Sequence, residues 1–395
     1  MRRSGLVGFS LCGLAVACAT ADEPGAMAPA PESAVAQVAD AGVDVNGADS
    51  GPAPADAAPE PCVPGTFCPM SLFGLRDDLL PHNARIEVVR GRSSSDVWAM
   101  GALGAIAHFD GSKWARKNVD PPYTLSGFWL KSDGILALST AQTAYALGLQ
   151  LEPSAPPATT ADGWFRIAEP TGAAPSPFGF RFSSMWMLPD AEWLWGTYLA
   201  GSPDEEVFGV AGLWRAHIVD AHLEFGAVLT SGECKIYRCQ SMRGLHGASP
   251  DELWAVGSSG VILHVADAQS EAPVYVPFNS RTVVDLFGVW AAASDDAWAV
   301  GAQGTLLHYH EGAWGRVEQS LTNEHLYAVW GTSKNDVWAV GSKATVLRYD
   351  GVEWKPFPVT GLNGAAPDLV TIWAADHEHA WIGGDGVLLA LRGEP

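Results

Sequence analysis

The cysteines are the residues whose type and spacing point most directly to chemistry. Six are present in the chain: Cys12 and Cys18 near the N-terminus, Cys62 with Cys68, and Cys234 with Cys239. In an exported protein, thiols so close in sequence favour short disulfide loops over the two connectivities that would cross-link distant segments. A zinc site would need Cys-x-x-Cys spacing or neighbouring histidines, and neither pair has them. We therefore predict two local disulfides and no metal held by cysteine.

The N-terminus has the features of an export signal. Arg2 and Arg3 precede an apolar run from Gly5 to Ala17, which is too short to span a bilayer and has the layout of a secretory signal. The run ends in LAVAC at positions 14–18, which resembles the lipobox of bacterial lipoproteins, except that alanine stands where that family usually has leucine. Residues 1–17 are expected to be removed from the mature protein.

The lipobox resemblance implies that Cys18 is lipidated at its thiol. It also implies an anchor at the outer membrane or cell surface, because Ala19 rather than aspartate follows the cysteine. Ordinary signal-peptidase cleavage would instead release a secreted protein. Residues 18–61 consist almost entirely of small, acidic and proline residues with no aromatic side chain, so we predict a disordered tether.

Other candidate catalytic or metal-binding residues recur at fixed positions of repeated segments. They are His108, His264 and His308, and Asp96, Glu252, Asp296 and Asp336. Equivalent histidines of separate units in a ring lie too far apart to share an ion, so a structural role is expected for them. The acidic residues are expected to cap turn N–H groups, with a calcium ion in each unit as the alternative.

Motifs of the common nucleophile and phosphate sites are missing. The segment Phe165-Arg166-Ile167 is similar to the Phe-Arg-Ile-Pro motif of sialidases, but Ala168 replaces the proline and the segment follows a hairpin signal inside the second repeat. We therefore predict a protein that is not an enzyme. The alternative is a carbohydrate-active hydrolase or lyase with its site in a central channel.

The elements that carry these residues form a repeat. Three stretches can be superposed by sequence: Ile86–Trp114, Leu286–Trp314 and Leu326–Trp354. Each contains a Trp-Ala-Val/Met-Gly block, a run of Leu, Ile or Val, an acidic-Gly pair expected to form a type I′ hairpin, and a final tryptophan. Four β-rich runs separated by turn residues predict four strands per unit.

A tryptophan in the second strand marks the regular units: Trp98, Trp254, Trp298, Trp338 and Trp381. Two degenerate units, around Trp129 and around Trp186, fill the gap between the first two markers and bring the total to seven. Such repeats of about 40–45 residues are typical of a β-propeller. The recurrent tryptophans are expected to fill the space between blades, with each indole N–H bonded to a carbonyl.

The last unit ends after its third strand, so the ring needs a fourth strand from elsewhere. The segment from Ser71 to Arg76, ahead of the first unit, is the expected donor, because pairing the two ends removes exposed sheet edges. The predicted architecture of residues 62–395 is all-β: a seven-bladed β-propeller of four-stranded antiparallel blades, closed by an N-terminal strand.

The repeat also resembles a known group of proteins. The sequences DVWAVG at 336–341 and LHYHEGAW at 307–314 resemble repeats of exported myxobacterial-type propeller lipoproteins, over roughly residues 86–395. The Gly-x-x-Trp spacing at 351–354 is distantly similar to the Asp-box turn of sialidase-like propellers. The resemblance implies a propeller that offers a binding or assembly surface when catalytic residues are missing.

One departure from the repeat suggests where such a surface lies. The segment Thr230–Met242 joins the third and fourth units and carries Lys235, Tyr237 and Arg238, with Arg243 just beyond it. In a chain of net charge −21, this basic cluster beside a tyrosine predicts a contact for an acidic protein or glycan. The alternative is a solvated loop stapled against proteolysis.

The predicted function is that of an envelope lipoprotein, monomeric and without a cofactor, which presents a propeller surface to a protein or glycan. The net charge of −21 argues against nucleic acid as a partner and against an anionic membrane surface, so membrane contact is expected only through the lipid anchor.

Overall fold

The computed structural model divides the chain into two compact units, Met1–Ala57 and Ala58–Pro395, and all described residues belong to the second. The described residues are 61–70, 84–119, 123–132, 134–139, 143–149, 160–171, 181–186, 188–189, 191–199, 212–219, 222–226, 228–239 and 241–391. The predicted export signal, Cys18 and all of the predicted tether except Pro61 lie outside them. Within these ranges, no helix combines the length and apolar character needed to cross a membrane.

Seven sheets form the fold, one for each predicted blade. Blade 1 contains Ile86–Ser93, Asp96–Gly101, Ile106–Phe109 and Trp114–Arg116. Blade 2 contains Leu125–Leu130, Ile135–Ser139, Ala144–Leu147 and Phe165–Arg166. Blade 3 contains Arg181–Trp186, Leu194–Leu199, Leu213–Val219 and His222–Gly226. Blade 4 contains Met242–Ser249, Glu252–Gly257, Ile262–Ala266 and Val274–Phe278.

The remaining three blades follow the same order. Blade 5 contains Leu286–Ala293, Asp296–Gly301, Leu306–His310 and Ala313–Arg316. Blade 6 contains Leu326–Ser333, Asp336–Gly341, Val346–Tyr349 and Trp354–Pro356. Blade 7 contains Leu369–Ala374, Ala380–Gly384 and Val387–Leu391, with Phe67–Pro69 as its fourth strand. The first strand of each blade contacts the first strands of its two neighbours, and blade 1 meets blade 7, so the ring is closed.

The second strands show why the Trp-Ala-Val-Gly block recurs. In blades 1, 4, 5 and 6 a partly exposed acidic residue is followed by five buried ones, because these strands have a sheet neighbour on both edges and another blade on both faces. A side chain cannot replace the final glycine: a Cβ on Gly341 would collide with the carbonyl of His325. One turn of 3-10 helix follows, at Ala102–Gly104, Ser258–Gly260, Ala302–Gly304 and Ser342–Ala344.

The ring is closed by an N-terminal strand, but its position corrects the prediction. Phe67–Pro69, not the segment 71–76, pairs antiparallel with Val387–Leu391. The segment 71–76 itself lies outside the described residues. Phe67 is fully buried, and its ring packs edge-on against Trp338 at 5.3 Å between centroids. The closing strand therefore completes blade 7 and also seals the face that blade 6 turns towards it.

Blade 3 departs from the four-stranded plan. Ala168–Thr171 adds a fifth strand, which runs parallel to the fourth strand, His222–Gly226. The sequence predicted four strands for this blade, and the segment contains Pro170, a residue that is usually confined to edge strands. The outer edge of blade 3 is thereby covered by chain that connects blades 2 and 3.

The hairpins between third and fourth strands correct the predicted turn type in part. At Glu311–Gly312 both residues have positive φ, 52° and 80°, as a type I′ turn requires. At Gly111 and Gly351 positive φ is confined to the glycine, 89° and 91°. The preceding Asp110 and Asp350 instead accept backbone N–H bonds from the far side of the turn, for example at 2.9 Å from Ser112. This leaves glycine at the first of two central positions, as in type II′ turns.

In blades 1, 4, 5 and 6 the second-strand tryptophan meets a side chain of the third strand. Trp98 stacks on His108 at 4.0 Å and Trp298 on His308 at 3.9 Å, while Arg348 lies 4.4 Å above the ring of Trp338. The recurrent histidines therefore have the structural role predicted for them. The predicted carbonyl bonds are present at Trp195, to Ala268 at 3.1 Å, and at Trp330, to Ala374 at 3.1 Å. The indoles of Trp298 and Trp338 have no hydrogen-bond partner among the described residues and make ring contacts only.

The recurrent aspartates also act differently from the prediction. Asp96 accepts bonds from the Trp98 indole at 3.0 Å and from His108 at 2.9 Å, and Asp336 accepts one from Arg348 at 2.9 Å. These carboxylates join the second strand to the third instead of capping turn N–H groups. In two of these turns a serine hydroxyl accepts the N–H bond, as in the 3.3 Å contact from the Ser95 N–H to Ser93.

Candidate functional site

One position of the first strand brings all seven blades together around the channel. It is the residue that pairs with the second-strand marker, and its occupants are Arg90, Trp129, Trp186, His246, Trp290, Trp330 and Trp373. We call these residues the axial set. Tryptophan fills five of the seven places, and the two exceptions are Arg90 in blade 1 and His246 in blade 4.

Four members of the axial set meet at the centre of the ring. The rings of Trp186 and Trp330 are 6.2 Å apart, although blades 3 and 6 lie on opposite sides of the ring. His246 lies 3.9 Å from Trp186 and 5.3 Å from Trp330, and the Arg90 guanidinium lies 4.8 Å above the Trp330 ring. These side chains lie between a pocket at one mouth of the channel and a smaller space lined by the N-terminal halves of the first strands, which we call the inner cavity.

The pocket, which we call the mouth pocket, has a volume of about 370 Å³. It is lined by the C-terminal ends of first strands and the turns after them, so it opens on the face where first strands lead into second strands. Trp186 and Trp330 are partly exposed there, beside Phe128, Trp129 and Trp373. Lys131 lies at the rim, with its amino group 4.9 Å from the Trp129 ring.

Arg90 forms part of the wall between the two spaces and borders both of them. Its Nη1 donates to the carbonyls of Val89 at 2.7 Å and Ile372 at 3.4 Å. Burial lowers the pKa of Arg90 to about 10, which still leaves the group positively charged at neutral pH. No carboxylate lies within ion-pair distance of it in the described part of the chain.

His246 is buried and neutral. Burial, reinforced by the nearby charge of Arg90, holds the pKa of His246 well below its usual value. Its Nδ1 accepts the backbone N–H of Ala291 at 3.1 Å, so Nε2 carries the proton. The imidazole is therefore a hydrogen-bond donor at the channel axis and adds no charge to that of Arg90.

The inner cavity is small, about 110 Å³, and more polar. Glu87 and Arg243 line it, but Glu87 pairs with Arg85 at 3.4 Å and Arg243 pairs with Asp285 at 3.3 Å. Burial raises the pKa of Glu87, although Arg85 opposes that shift. Tyr327, also in the lining, is 3.3 Å from the Asp368 carboxylate.

The residues of the predicted basic cluster lie on two consecutive elements. Lys235 and Tyr237 belong to a short helix, α1 (Ser231–Tyr237), and Arg238 ends it with a left-handed conformation, φ 61°. Arg243 lies instead in the first strand of blade 4 and lines the inner cavity. Helix α1 precedes that strand, so it lies on the face opposite the mouth pocket.

Both predicted disulfides are present. Cys62 bonds to Cys68 with Cα atoms 5.8 Å apart, and Cys234 bonds to Cys239 with Cα atoms 4.8 Å apart. The second bond ties α1 to the first residue beyond its cap, and a capping box between Thr230 and Glu233 fixes the start of the helix.

The remaining catalytic candidates are dispersed. Arg166 lies in the outermost strand of blade 2 and is exposed, far from the first strands that line the channel. Within the described ranges, no group of three or more His, Cys, Asp or Glu is arranged so that it could hold a metal ion.

Comparison with known proteins places the fold but not a family. No protein-family model and no curated protein matches the chain. The structure titled "YCF48 bound to D1 peptide" is similar, with a TM-score of 0.56 and 15% identity over 82% of this chain and 98% of that one. YCF48 from Cyanidioschyzon merolae is similar with a TM-score of 0.57 and 14% identity, over 79% of this chain and 97% of that one. The WD40 β-propeller domain of Doa1 is similar with a TM-score of 0.53 and 11% identity, over 78% of this chain and 93% of that one. At these identities the likeness establishes a β-propeller alone.

The axial set could have been found from the sequence. Once the repeats are aligned on the second-strand tryptophan, the first strands supply a second recurrent aromatic position. Arg90 and His246 are the two places where that position departs from tryptophan. The sequence predictions treated all repeated tryptophans as filling between blades and so overlooked the ones that line the channel.

Proposed function

We propose that this protein is a non-enzymatic propeller scaffold that binds a segment of another protein in the mouth pocket. The observation that carries the proposal is the pocket itself: about 370 Å³ lined by aromatic rings, two of which, Trp186 and Trp330, are partly exposed. Tryptophan and arginine are the side chains that most often dominate binding energy at protein interfaces. A pocket of this size accepts one large side chain together with the backbone beside it.

The inner cavity supports a binding role over catalysis. Its volume of about 110 Å³ is well below the range of about 300–1,000 Å³ typical of sites that enclose a substrate. Its one carboxylate among the described lining residues, Glu87, is engaged by Arg85. The carbohydrate-active alternative needs a free carboxylate pair, or an arginine cluster with a free tyrosine, and Tyr327 and Arg243 are both engaged by aspartates.

The surface on α1 remains a second proposed contact region. Lys235 and Arg238 are exposed there, and Ile236 beside them is 78% exposed. The mouth pocket is favoured because its apolar surface is concave, whereas the α1 side chains project into solvent where each contact contributes little. The solved YCF48 structure is described as bound to a D1 peptide, which supports a protein partner for a fold of this kind.

We also propose that the scaffold is a monomer held at the cell envelope through a lipid on Cys18. This rests on the LAVAC sequence at 14–18. Intact-mass measurement of the protein purified from membranes tests it, since lipidation adds an acyl mass at Cys18 and Cys18→Ser removes it. A soluble mature protein that begins after position 18 contradicts the anchor.

The test of the mouth pocket uses peptides of unbiased sequence. A displayed random-peptide library is selected on the purified protein, and the enriched peptides are titrated by fluorescence anisotropy. Trp186→Ala should weaken them at least about tenfold, because it removes a central aromatic contact.

Leu103→Ala is the matched control, since Leu103 is a large apolar side chain, 60% exposed, on the opposite face. That control should leave the affinity unchanged. Enriched peptides that ignore Trp186→Ala but lose affinity on Arg238→Glu would assign binding to α1 and overturn the proposal.

A further inference from the structure

We infer that the bound segment presents a carboxylate beside an apolar side chain, and that Arg90 receives the carboxylate at the floor of the mouth pocket. This inference rests on the proposed function and specifies its ligand. It assigns an acidic, amphipathic peptide as the occupant.

The repeat shows that packing does not require an arginine at this position. Five blades place tryptophan in the axial set, so the space in the ring is suited to an indole. Blade 1 replaces it with Arg90, whose guanidinium is less easily desolvated than any ring.

The charge of Arg90 lacks a counter-ion in the described structure. Its partners are two carbonyl oxygens and the face of Trp330, which satisfy Nη1 and part of the charge but carry no negative charge themselves. Arg90 is partly exposed to the two spaces that it borders, yet its surroundings still lower its pKa, and charges withdrawn from water in this way are normally paired. His246, the other polar member of the axial set, is neutral and donates from Nε2, so it offers no compensation.

The acidic residues nearby are committed elsewhere. Glu87 pairs with Arg85, and Asp96 pairs with Arg92 at 2.8 Å. No aspartate or glutamate is among the described residues that line the mouth pocket. In the part of the chain that the structure describes, the basic side chains that line the pocket without an acidic partner are Arg90 and Lys131, since Arg92 is paired with Asp96. In a chain with 44 acidic residues, this local excess of positive charge complements a negative ligand.

A carboxylate is the anion that fits the remaining geometry. Nη1 is held by the two carbonyls, which leaves the guanidinium its other N–H groups for an incoming acceptor. An arginine edge binds a planar carboxylate with parallel hydrogen bonds. The aromatic walls formed by Trp186 and Trp330 then cover an apolar group that the same ligand carries beside its carboxylate. A ligand with only an apolar group or only a carboxylate would contact only part of the pocket.

The experiment compares matched acidic and neutral probes. The probes are the acetylated, amidated peptides Ala-Phe-Glu-Phe-Ala and Ala-Phe-Gln-Phe-Ala, together with 4-phenylbutyrate and 4-phenylbutanamide, each titrated calorimetrically into the purified protein. The Glu peptide is expected to bind at least about tenfold more tightly than the Gln peptide. Phenylbutyrate should bind more tightly than phenylbutanamide, but more weakly than the Glu peptide. Equal affinity for phenylbutyrate and the Glu peptide would instead assign the site to small acids.

Two variants locate the preference. Arg90→Met keeps an unbranched side chain without charge and should reduce the acid preference to below about twofold, while Arg90→Lys should retain part of it. Arg116→Met removes an exposed arginine from the outer strand of the same blade and should leave the preference intact. Near-ultraviolet circular dichroism confirms the fold of each variant, and Arg90→Lys keeps the test decisive if Arg90→Met fails to fold.

The outcomes separate this inference from the proposed function. Equal binding of acidic and neutral probes, lost in Trp186→Ala, retains the mouth pocket but refutes the carboxylate site at Arg90. An acid preference that survives Arg90→Met also refutes it. Probes and selected peptides that all ignore Trp186→Ala refute the proposed function itself.

Discussion

Two sets of aromatic residues repeat in this propeller, one between the blades and one at the axis. Between the blades, Trp98 and Trp298 each meet a third-strand histidine in nearly the same stacked geometry. At the axis the copies differ: Trp186 touches His246, whereas Trp330 contacts Arg90, His246 and Trp186. The same spacing along the chain therefore produces similar surroundings in one layer, where Arg348 takes the place of the histidine in blade 6, and unequal surroundings in the other.

The difference follows from geometry. A residue between two blades has only those two blades as neighbours, so the copies face similar packing problems and similar solutions serve. At the axial position Arg90, Trp186, His246 and Trp330 meet at the centre, whereas Trp290 packs on Gly331 between blades 5 and 6, so the copies have different surroundings. Divergence at the axis costs the blades little, and a specialised side chain such as Arg90 can arise there without disturbing the repeat.

The largest effect on stability is expected from removing the closing strand, because Phe67 packs between blades 6 and 7. Deletion of Thr66–Pro69 opens the edge of Val387–Leu391 and uncovers Trp338. The deletion variant should lose its single cooperative transition in urea, followed by circular dichroism. Val63→Ser, a change at a 46%-exposed residue of the same segment, should leave the transition in place. An unchanged transition after the deletion would show that closure adds nothing.

The next effect compares the two layers directly. Trp338 is fully buried between blades, so Trp338→Ala should lower the free energy of unfolding by about 3–5 kcal/mol. Trp186, partly exposed at the axis, should cost about 1–2 kcal/mol when replaced by alanine, because less apolar surface is lost. Urea denaturation measures both values. Equal losses would mean that the two layers contribute alike to stability.

A smaller effect is expected at the carboxylate that joins the strands of blade 1. Burial alone would raise the pKa of Asp96, but hydrogen bonds from Arg92, His108 and Trp98 outweigh it and leave the pKa below its usual value. The stabilisation is therefore present above the unfolded-state pKa, about 3.9, and is lost as pH falls through the lower folded-state pKa. Asp96→Ala should cost about 1–2 kcal/mol at pH 7, and the difference from wild type should shrink below pH 4. A difference independent of pH would contradict the ionised network.

The smallest effect concerns protonation at the axis. Because the folded-state pKa of His246 is lowered, its contribution is present above the unfolded-state value, about 6.5, and is lost as pH falls below it. Wild-type protein should therefore lose about 1 kcal/mol more between pH 7 and pH 5.5 than His246→Gln. The between-blade control His308→Gln should change the slope less, since Asp296 partly offsets the effect of burial on the pKa of His308. If stability depends on pH equally in His246→Gln and His308→Gln, the two histidines do not differ in this respect.

The sequence was sufficient for those parts of the fold that repeat. The spacing of Trp254, Trp298, Trp338 and Trp381 correctly predicted the blades and their second strands, and the close spacing of the cysteines correctly predicted the two local disulfides. The closing strand was placed too late because Phe67–Pro69 has only three residues and includes a cysteine and a proline, so it carries no alternating β pattern. Helix α1 was expected as a loop, although Thr230 and Glu233 already had the spacing of a capping box.

The candidate site was less accessible to sequence reasoning. The basic residues around α1 were grouped because they are close in sequence, yet Arg243 lies in a strand that faces the channel. Arg90 and His246 come from blades whose sequences are separated by two other units, and their proximity depends on closure of the ring. Only the alignment of first strands, followed by attention to the copies that differ, would have brought them together.

The bond between Cys62 and Cys68 determines which residue of the closing strand receives a force applied to the chain upstream of it. Cys68 is the central residue of the closing strand and pairs with Ala390, and the disulfide connects it covalently to the chain upstream of Val63. A pull on that upstream chain reaches the strand at Cys68 and leaves residues 63–67 as a slack loop that bears no load. Reduction of the bond would transfer the same pull first to the hydrogen bonds of Val63 and Thr66 with Thr360, and only then to the buried ring of Phe67.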